Sequence, residues 1–75
     1  MKLSELNNGD SAKIVRLEAS SDLKSRLASF GVVRGVDISI EACSSGKRTM
    51  EILVDDTLIG IRASEAAQIE VDKYE

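Results

Sequence analysis

The sequence lacks most of the residues from which catalytic and metal sites are built. Its 75 residues include no histidine and a single cysteine, Cys43. Without histidine the commonest general base is missing, and so are the usual nitrogen ligands of zinc and other transition metals. One cysteine cannot form an internal disulfide, which suits a reducing compartment. We therefore expect a cytoplasmic protein that is not an enzyme and that carries no metal or other cofactor.

Aromatic residues, basic charge and long apolar runs are scarce as well. Phe30 and Tyr74 are the only aromatic residues, and the formal net charge is −3. Proteins that bind single-stranded nucleic acid stack bases on aromatic side chains, and nucleic-acid binders in general neutralise phosphates with basic ones. No apolar run approaches the roughly 20 residues that span a bilayer. We expect neither nucleic-acid binding nor insertion into a membrane.

What remains is the composition of one small globular domain. Hydrophobic residues make up 43% of the chain and charged residues 31%, and both fractions are ordinary for globular proteins. A chain of 75 residues has room for one core, because two cores of half that size would each be too small to be stable. We therefore expect a single domain over residues 1–75.

The clearest local pattern is an amphipathic helix over about residues 22–30. Candidate N-cap oxygens come just before it, on Ser20, Ser21 and Asp22. Apolar residues then recur at helical spacing, at Leu23, Leu27 and Phe30. Gly31 follows where a left-handed residue closes many helices, and Gly35 is the next expected position of positive φ. The pattern predicts that the apolar stripe closes one end of the fold.

Several short strands are predicted around this helix. Residues 36–43 alternate strictly, which places Ile38 and Ile40 on the buried face and Cys43 on the wet face. Four further segments read as strands, at residues 11–18, 49–55, 57–62 and 69–72. Leu3 to Leu6 suits one helical turn, and a second turn is expected after a cap at Ser64.

This order of elements predicts a mainly β domain with short helices. Five strands with tight turns and one inserted amphipathic helix suit a small, partly open barrel, and an SH3-like arrangement is the first expectation. An OB-like barrel also has five strands and one helix, so the order of elements leaves that alternative open.

Basic side chains are the best candidates for a partner-binding surface. They lie near the helix and its exit and in one hairpin, at Lys24, Arg26, Arg34, Lys47 and Arg48. Ordinary solvated charge is one interpretation, and a patch that docks an acidic partner is the other. Arg62 is expected to be structural, either pairing with Glu65 or bonding backbone carbonyls.

The residues in order resemble the FeoA family. That family's pattern is RL-x-x-hGhh-x-G … hR-x-x-x-A-x-x-h-x-V, in which h is apolar. The matching residues are Arg26-Leu27, Gly31, Val32-Val33, Gly35, Ile61-Arg62, Ala66, Ile69 and Val71. The opening Leu3 to Leu6 with Gly9 is similar too, so the match covers about residues 3–71. Two departures are Phe30 in place of the usual leucine, and a hairpin loop without the prolines of the family's P-x-G-x-P pattern.

The resemblance implies a small cytoplasmic SH3-like protein of bacterial ferrous iron uptake. Its partner would be the cytosolic GTPase part of the FeoB permease, which it would assist or regulate without itself binding iron tightly. The SH3-like C-terminal module of iron-dependent transcriptional repressors resembles this family as well. A stand-alone regulatory module of that type is therefore the alternative, although the sequence contains no helix-turn-helix pattern. Weak self-association through an exposed sheet edge stays open.

Overall fold

The computed structural model describes residues 1–74 as five strands, two α-helices and two short 3₁₀ turns. The strands are β1 (Ser11–Leu17), β2 (Asp37–Cys43), β3 (Thr49–Val54), β4 (Thr57–Arg62) and β5 (Ile69–Lys73). The helices are α1 (Ser21–Ser29) and α2 (Ala63–Ala66), and the 3₁₀ turns are Leu3–Glu5 and Ser45–Lys47. Within residues 1–74, no helix combines the length and the apolar character that crossing a membrane requires.

The strands form one antiparallel sheet in the order β4-β3-β2-β1-β5. Helix α1 is inserted between β1 and β2, and α2 connects β4 to β5. The edge strands β4 and β5 do not pair with each other within the described residues, so the sheet is not closed. Bulges in β1, between Ile14 and Arg16, and in β2, between Ile40 and Ala42, bend these strands. This is the partly open, mainly β arrangement with one inserted helix that the sequence predicts.

The core is aliphatic and draws on every part of the chain. No aromatic side chain is among the buried residues of the described chain. The buried residues on the strands are Ala12, Ile14, Ile38, Ile40, Met50, Ile52, Val54, Ile59, Ile61, Ile69 and Val71. Helices and connections add Leu3, Leu6, Leu27, Val32 and Ala66, and all of these residues form one cluster. Burial of this aliphatic surface is the main favourable term in the stability of the fold.

Local hydrogen bonds fix both ends of α1. The hydroxyl of Ser20 accepts the N–H of Leu23 at 3.2 Å, as an N-cap residue should. At the other end Gly31 has φ of 87°, and its N–H donates to the carbonyl of Ala28 at 3.0 Å. The N–H of Val32 donates to the carbonyl of Leu27 at 2.9 Å, which completes a Schellman motif. The predicted cap and the predicted positive φ of Gly31 are both confirmed.

Gly31→Ala is expected to lower the free energy of unfolding by about 1 kcal/mol, because an L-residue is strained at this φ. Space is not the reason: a Cβ built there would meet Val54 Cγ1 at 3.8 Å, an ordinary contact. Gly60→Ala is the matched control, since Gly60 lacks a positive φ and a Cβ there meets nothing within 4 Å. Urea unfolding of the two variants measures the difference, and equal midpoints would contradict the assignment.

The predicted burial of Phe30 is wrong. Leu27 is 2% exposed and Leu23 packs partly against the core, but Phe30 is 48% exposed. The helix ends at Ser29, and Phe30 is the C-cap residue with φ of −97° and ψ of 2°. Because the chain has left the helix there, spacing of i+7 no longer places a side chain on the apolar stripe. Val32, 1% exposed, makes the core contact instead.

The predicted wet position of Cys43 is also wrong, and the bulge in β2 is the reason. Ile40 lies opposite Ile52, but Ala42 lies opposite Glu51, so one extra residue stands between the two pairs. That residue shifts the alternation by one position and reverses the face of every later side chain. Cys43 therefore lies opposite the buried Met50 and packs against the core.

The N-terminal 3₁₀ turn is part of the core rather than a lead-in to it. Leu3 and Leu6 are both 0% exposed. The turn packs against α2 and β5, and Lys2 forms an isolated antiparallel bridge with Glu70. The edge of β5 is therefore covered by the first residues of the chain, which protects it from pairing with another strand.

Candidate functional site

The basic residues predicted to bind a partner lie in different environments. Lys24 and Arg34 line a cleft, and Arg26 is held in an ion pair with a carboxylate on α2. Lys47 extends its ammonium toward the carbonyl of Ser4, at 3.4 Å. Arg48 is exposed, and its carbonyl accepts the N–H of the first residue of α2 at 2.8 Å. The five predicted residues therefore do not form one patch. Lys24 and Arg34 share a cleft, whereas Arg26, Lys47 and Arg48 lie outside it.

The cleft lies between β1, α1 and the connection from α1 to β2, and we call it the α1–β1 cleft. Val15, Arg16 and Leu17 of β1 line it together with Lys24 of α1 and Arg34, and its volume is about 370 Å³. In a regular strand, successive side chains point to opposite faces. The bulge between Ile14 and Arg16 breaks this alternation, so three consecutive residues can border one cleft. Val15 and Leu17 are half-buried and provide an apolar lining.

The charge lining this cleft is positive. Arg16 shares its charge with Glu18, since its Nη2 lies 3.1 Å from Oε1 of that carboxylate. Within residues 1–74, neither Lys24 nor Arg34 has a carboxylate oxygen within 4.0 Å. Among the described residues, no Asp or Glu lines this cleft. In a chain of net charge −3, the cleft is therefore a local site of positive potential that can attract an anion.

The backbone around Arg34 is held firmly against β1. The N–H of Gly35, which has φ of 92°, donates to the carbonyl of Ile14 at 2.7 Å. The N–H of Ile14 in turn donates to the carbonyl of Val36 at 2.9 Å. The predicted positive φ of Gly35 is confirmed. These two bonds fix the connection on which Arg34 stands beside the bulge of β1.

Arg26 has a structural contact that the sequence did not indicate. Its Nη2 binds Oε2 of Glu65, a residue 39 positions away on α2. The other carboxylate oxygen of Glu65 accepts the backbone N–H of Arg62 at 3.0 Å. Glu65 thus caps α2 and connects it to α1. Ala66, in the same helix, is fully buried against the core.

The predictions for α2 need two corrections. The cap residue is Arg62 rather than Ser64, because Glu65 reaches back to the N–H of Arg62 and the helix begins at Ala63. The predicted role of the Arg62 side chain is wrong: it is exposed, and within residues 1–74 it forms no ion pair with Glu65 and no hydrogen bond to a backbone carbonyl. Only the backbone N–H of Arg62 bonds Glu65. A sequence pattern cannot separate these cases, since both place Glu65 within reach of the same residue.

The hydrogen bond from the Arg62 N–H, together with the guanidinium of Arg26, holds the pKa of Glu65 below its ordinary value of 4.5, against the opposing effect of burial. A carboxylate with a lowered pKa stabilises the folded state above its unfolded pKa, and this contribution disappears as the pH falls through its folded pKa. We expect Glu65→Gln to lose roughly 1 kcal/mol of stability at pH 7, and the two proteins to converge in acid.

Urea unfolding at pH 7 and pH 3 measures this convergence for Glu65→Gln. Glu41→Gln is the matched control, because Glu41 is exposed and makes no ion pair within the described residues. That variant should differ little from the parent at either pH. A stability difference for Glu65→Gln that is as large in acid as at neutral pH would show that the ionised carboxylate is not what stabilises α2.

Sequence reasoning missed part of the cleft. Arg16 was not among the predicted binding residues, and neither were Val15 and Leu17, because a regular strand would have divided them between two faces. No residue type in β1 marks the bulge; it contains no glycine. The alternation of buried and exposed positions in β1 is interrupted at Val15, and this interruption is the only sequence signal of the bulge.

The described chain contains no group of three or more His, Cys, Asp or Glu side chains placed to hold a metal ion. A second cleft of about 310 Å³ lies on β1, β2 and β3 and includes Asp37 and Asp55 among its lining residues. Asp37 accepts a hydrogen bond of 2.6 Å from the hydroxyl of Tyr74, so it is already partnered.

Comparison with known proteins gives a family and close relatives. The FeoA domain model matches residues 1–73. The chain is 36% identical over 72 residues to the putative Fe(2+) transport protein A of Campylobacter jejuni, and this covers 96% of the chain and 97% of that protein. It is 35% identical over 72 residues, 96% of its length, to an Fe(2+) transport protein A/Fe(2+) transporter FeoB fusion protein of Porphyromonas gingivalis. The chain spans only 8% of that fusion protein.

Solved structures share the fold. The solution structure of the FeoA protein from Chlorobium tepidum matches with a TM-score of 0.89 at 32% identity, over 95% of this chain and 68% of that one. The crystal structure of T. acidophilum IdeR matches with a TM-score of 0.81 at 33% identity, over 95% of this chain and 32% of that one. These likenesses confirm the SH3-like arrangement and not the OB-like alternative.

Proposed function

This chain belongs to the FeoA family, and on that premise we propose that it is a cytoplasmic accessory protein of bacterial ferrous iron uptake. It acts by contact with the cytosolic GTPase part of a FeoB-type permease, as a single domain over residues 1–75, and it catalyses no reaction of its own. The relative in which Fe(2+) transport protein A and the FeoB transporter form one chain carries this proposal.

The fusion supports a functional contact for a physical reason. Joining two modules in one chain raises the effective concentration of each near the other to the millimolar range for short linkers. Such proximity favours a direct contact between the two modules, and in this domain the contact would be made by its surface.

Titration of the chain with the purified cytosolic part of FeoB tests the proposal. We expect saturable binding with one chain per FeoB domain, and reduced ferrous iron uptake by cells from which the gene has been deleted. Nucleotides or Fe²⁺ added to the isolated chain should leave its thermal unfolding midpoint unchanged, since a ligand that binds only the folded form must raise it. Absence of binding together with normal uptake in the deletion strain would overturn the proposal.

The likeness to a repressor supports a second candidate, a stand-alone regulatory module. Its basis is the 33% identity to T. acidophilum IdeR, of which this chain spans 32%. Residues 1–74 contain no helix-turn-helix, because α1 and α2 are separated by three strands and α2 has only four residues. A gel shift of a promoter fragment by the isolated chain at physiological salt would favour this candidate, and we expect none.

A further inference from the structure

We propose that the α1–β1 cleft is the docking site for a short acidic peptide segment of a partner protein, with an aliphatic side chain between its carboxylates. The sequence patch predicted for this role included Arg26, Lys47 and Arg48 and omitted Arg16. The inference rests on the proposed function only for the identity of the partner, because the chemistry of the ligand follows from the cleft itself.

Charge favours an acidic ligand of limited length. Lys24 and Arg34 have no carboxylate partner within residues 1–74, and Arg16 has only Glu18. The whole chain nevertheless has a net charge of −3, so the residues outside the cleft are negatively charged on balance. A long polyanion such as duplex DNA or an anionic membrane would extend over these residues and be repelled by their net charge. A short acidic segment meets the cations and avoids the repulsion.

The lining favours an aliphatic group among the carboxylates. Attraction between exposed charges is weak and is screened by salt, so cations alone give little affinity. Val15 and Leu17 are half-buried and border the same cleft, where they can cover an aliphatic side chain of the ligand. That part of the binding is hydrophobic and does not depend on salt in the same way.

The fixed backbone that carries Arg34 favours specific docking of a ligand over diffuse electrostatic attraction. Arg34 stands on a connection that two hydrogen bonds fix to β1, through Gly35 to Ile14 at 2.7 Å and through Ile14 to Val36 at 2.9 Å. A rigid backbone lowers the entropy lost when a ligand is bound. A guanidinium also binds a carboxylate through two parallel hydrogen bonds, which fixes the orientation of the ligand.

Arg26 and Lys47 are less suited to this role. Binding of a partner by Arg26 would compete with its bond to Glu65, which connects α1 to α2. Lys47 is half-buried and lies 3.4 Å from the carbonyl of Ser4. Within the sequence-predicted set, only Lys24 and Arg34 border the cleft. The cleft is therefore a narrower and more specific surface than the basic patch.

The test uses a capped pentapeptide with leucine at its centre and two glutamates on each side. Titration into the ¹⁵N-labelled chain at low salt should shift the amide signals of Val15, Leu17, Lys24 and Arg34. Lys24→Glu and Arg34→Glu should each weaken binding by about tenfold, because they place like charges together. Arg48→Glu is the matched control, because it makes the same reversal of charge at an exposed arginine outside the cleft, and it should change binding less than about threefold.

Control ligands and the FeoB domain make each outcome decisive. Replacing the central leucine of the peptide with serine should weaken binding, and replacing the glutamates with lysines should abolish it. Shifts confined to other surfaces, unchanged binding by Lys24→Glu and Arg34→Glu, or tighter binding of duplex DNA or anionic vesicles than of the peptide would overturn the inference.

If the FeoB domain binds both variants as well as the parent, this inference fails and the proposed function stands. If the peptide binds the cleft but the FeoB domain does not bind the chain, the proposed function fails and this inference stands.

Discussion

Leu27→Ala is expected to remove about 3 kcal/mol of unfolding free energy, whereas Phe30→Ala should cost less than about 1 kcal/mol. Both side chains belong to the same apolar stripe of the sequence, but Leu27 is 2% exposed and Phe30 is 48% exposed. Removing Leu27 leaves a cavity among the residues that join α1 to the sheet. Removing Phe30 uncovers little buried surface, because about half of the residue already meets solvent.

The size of the Leu27 effect matters because the domain is small. At about 0.05–0.15 kcal/mol per residue, a chain of this length has a total stability of roughly 4–11 kcal/mol. Leu27→Ala therefore removes a large part of this stability, and a fraction of the variant molecules can be unfolded at room temperature. Leu27→Met keeps most of the volume and should cost less than about 1.5 kcal/mol, which makes the comparison measurable in either case.

Urea unfolding followed by circular dichroism provides the measurement for the Leu27 and Phe30 variants. The slope of free energy against urea concentration should stay constant across the series, since each variant exposes nearly the same surface on unfolding. A larger loss for Phe30→Ala than for Leu27→Ala would contradict the assignment of Phe30 to the solvent side of the helix end.

Leu6→Ala is the second substitution for which we expect a large effect, about 2–5 kcal/mol. Leu6 follows a 3₁₀ turn of only three residues, and such a turn has little stability of its own. Its side chain is nonetheless 0% exposed, within the cluster that also contains Leu3 and residues of β5 and α2. The substitution would weaken both the packing of the core and the N-terminal segment that covers the edge of β5.

Hydrogen exchange separates these two consequences of Leu6→Ala. The N–H of Val71 in β5 donates to the carbonyl of Met1 at 2.8 Å, so its protection reports on the N-terminal cover. We expect this amide to lose protection by a larger factor than the amides of the β2–β3 pair. Leu58→Ala is the matched control, since Leu58 is 55% exposed on β4 and the same chemical change should cost less than about 1 kcal/mol there. Equal losses for the two leucines would contradict a core role for the N-terminal turn.

Local features of this chain were predictable from the sequence because their causes are local. The Ser20 cap, the Gly31 stop and the strand alternation up to Ile40 each depend on residues within a few positions of one another. Gly31 is also among the residues that carry the resemblance to the FeoA family, which the match over residues 1–73 confirms.

The candidate site was predictable only in part, because it depends on register. The spacing of Lys24 and Arg34 showed that both lie near the helix and its exit. It could not show that a bulge in β1 turns Arg16 toward the same cleft. An inserted residue changes the face of its neighbours without requiring any particular residue type, so a regular alternation was the natural expectation.

Contacts between residues that are far apart in the sequence could not be predicted from sequence patterns. Arg26 and Glu65 are 39 positions apart, and nothing near either residue indicates the other. The same holds for Cys43, whose position opposite Met50 follows from the bulge in β2. For Phe30 the helix end itself was predicted, but the direction of the side chain after it was not.

The sequence by itself determined the order of the five strands and of the inserted helix, both ends of that helix, the scarcity of groups for catalysis or metal binding, and the family. Hydrophobic periodicity and caps act over a few residues, and so they can be read directly from the chain. Only the tertiary structure decided which cations are neutralised and which border a cleft. Those outcomes depend on strand register and on contacts between distant segments, because a one-residue shift in a strand moves its side chains from one face to the other.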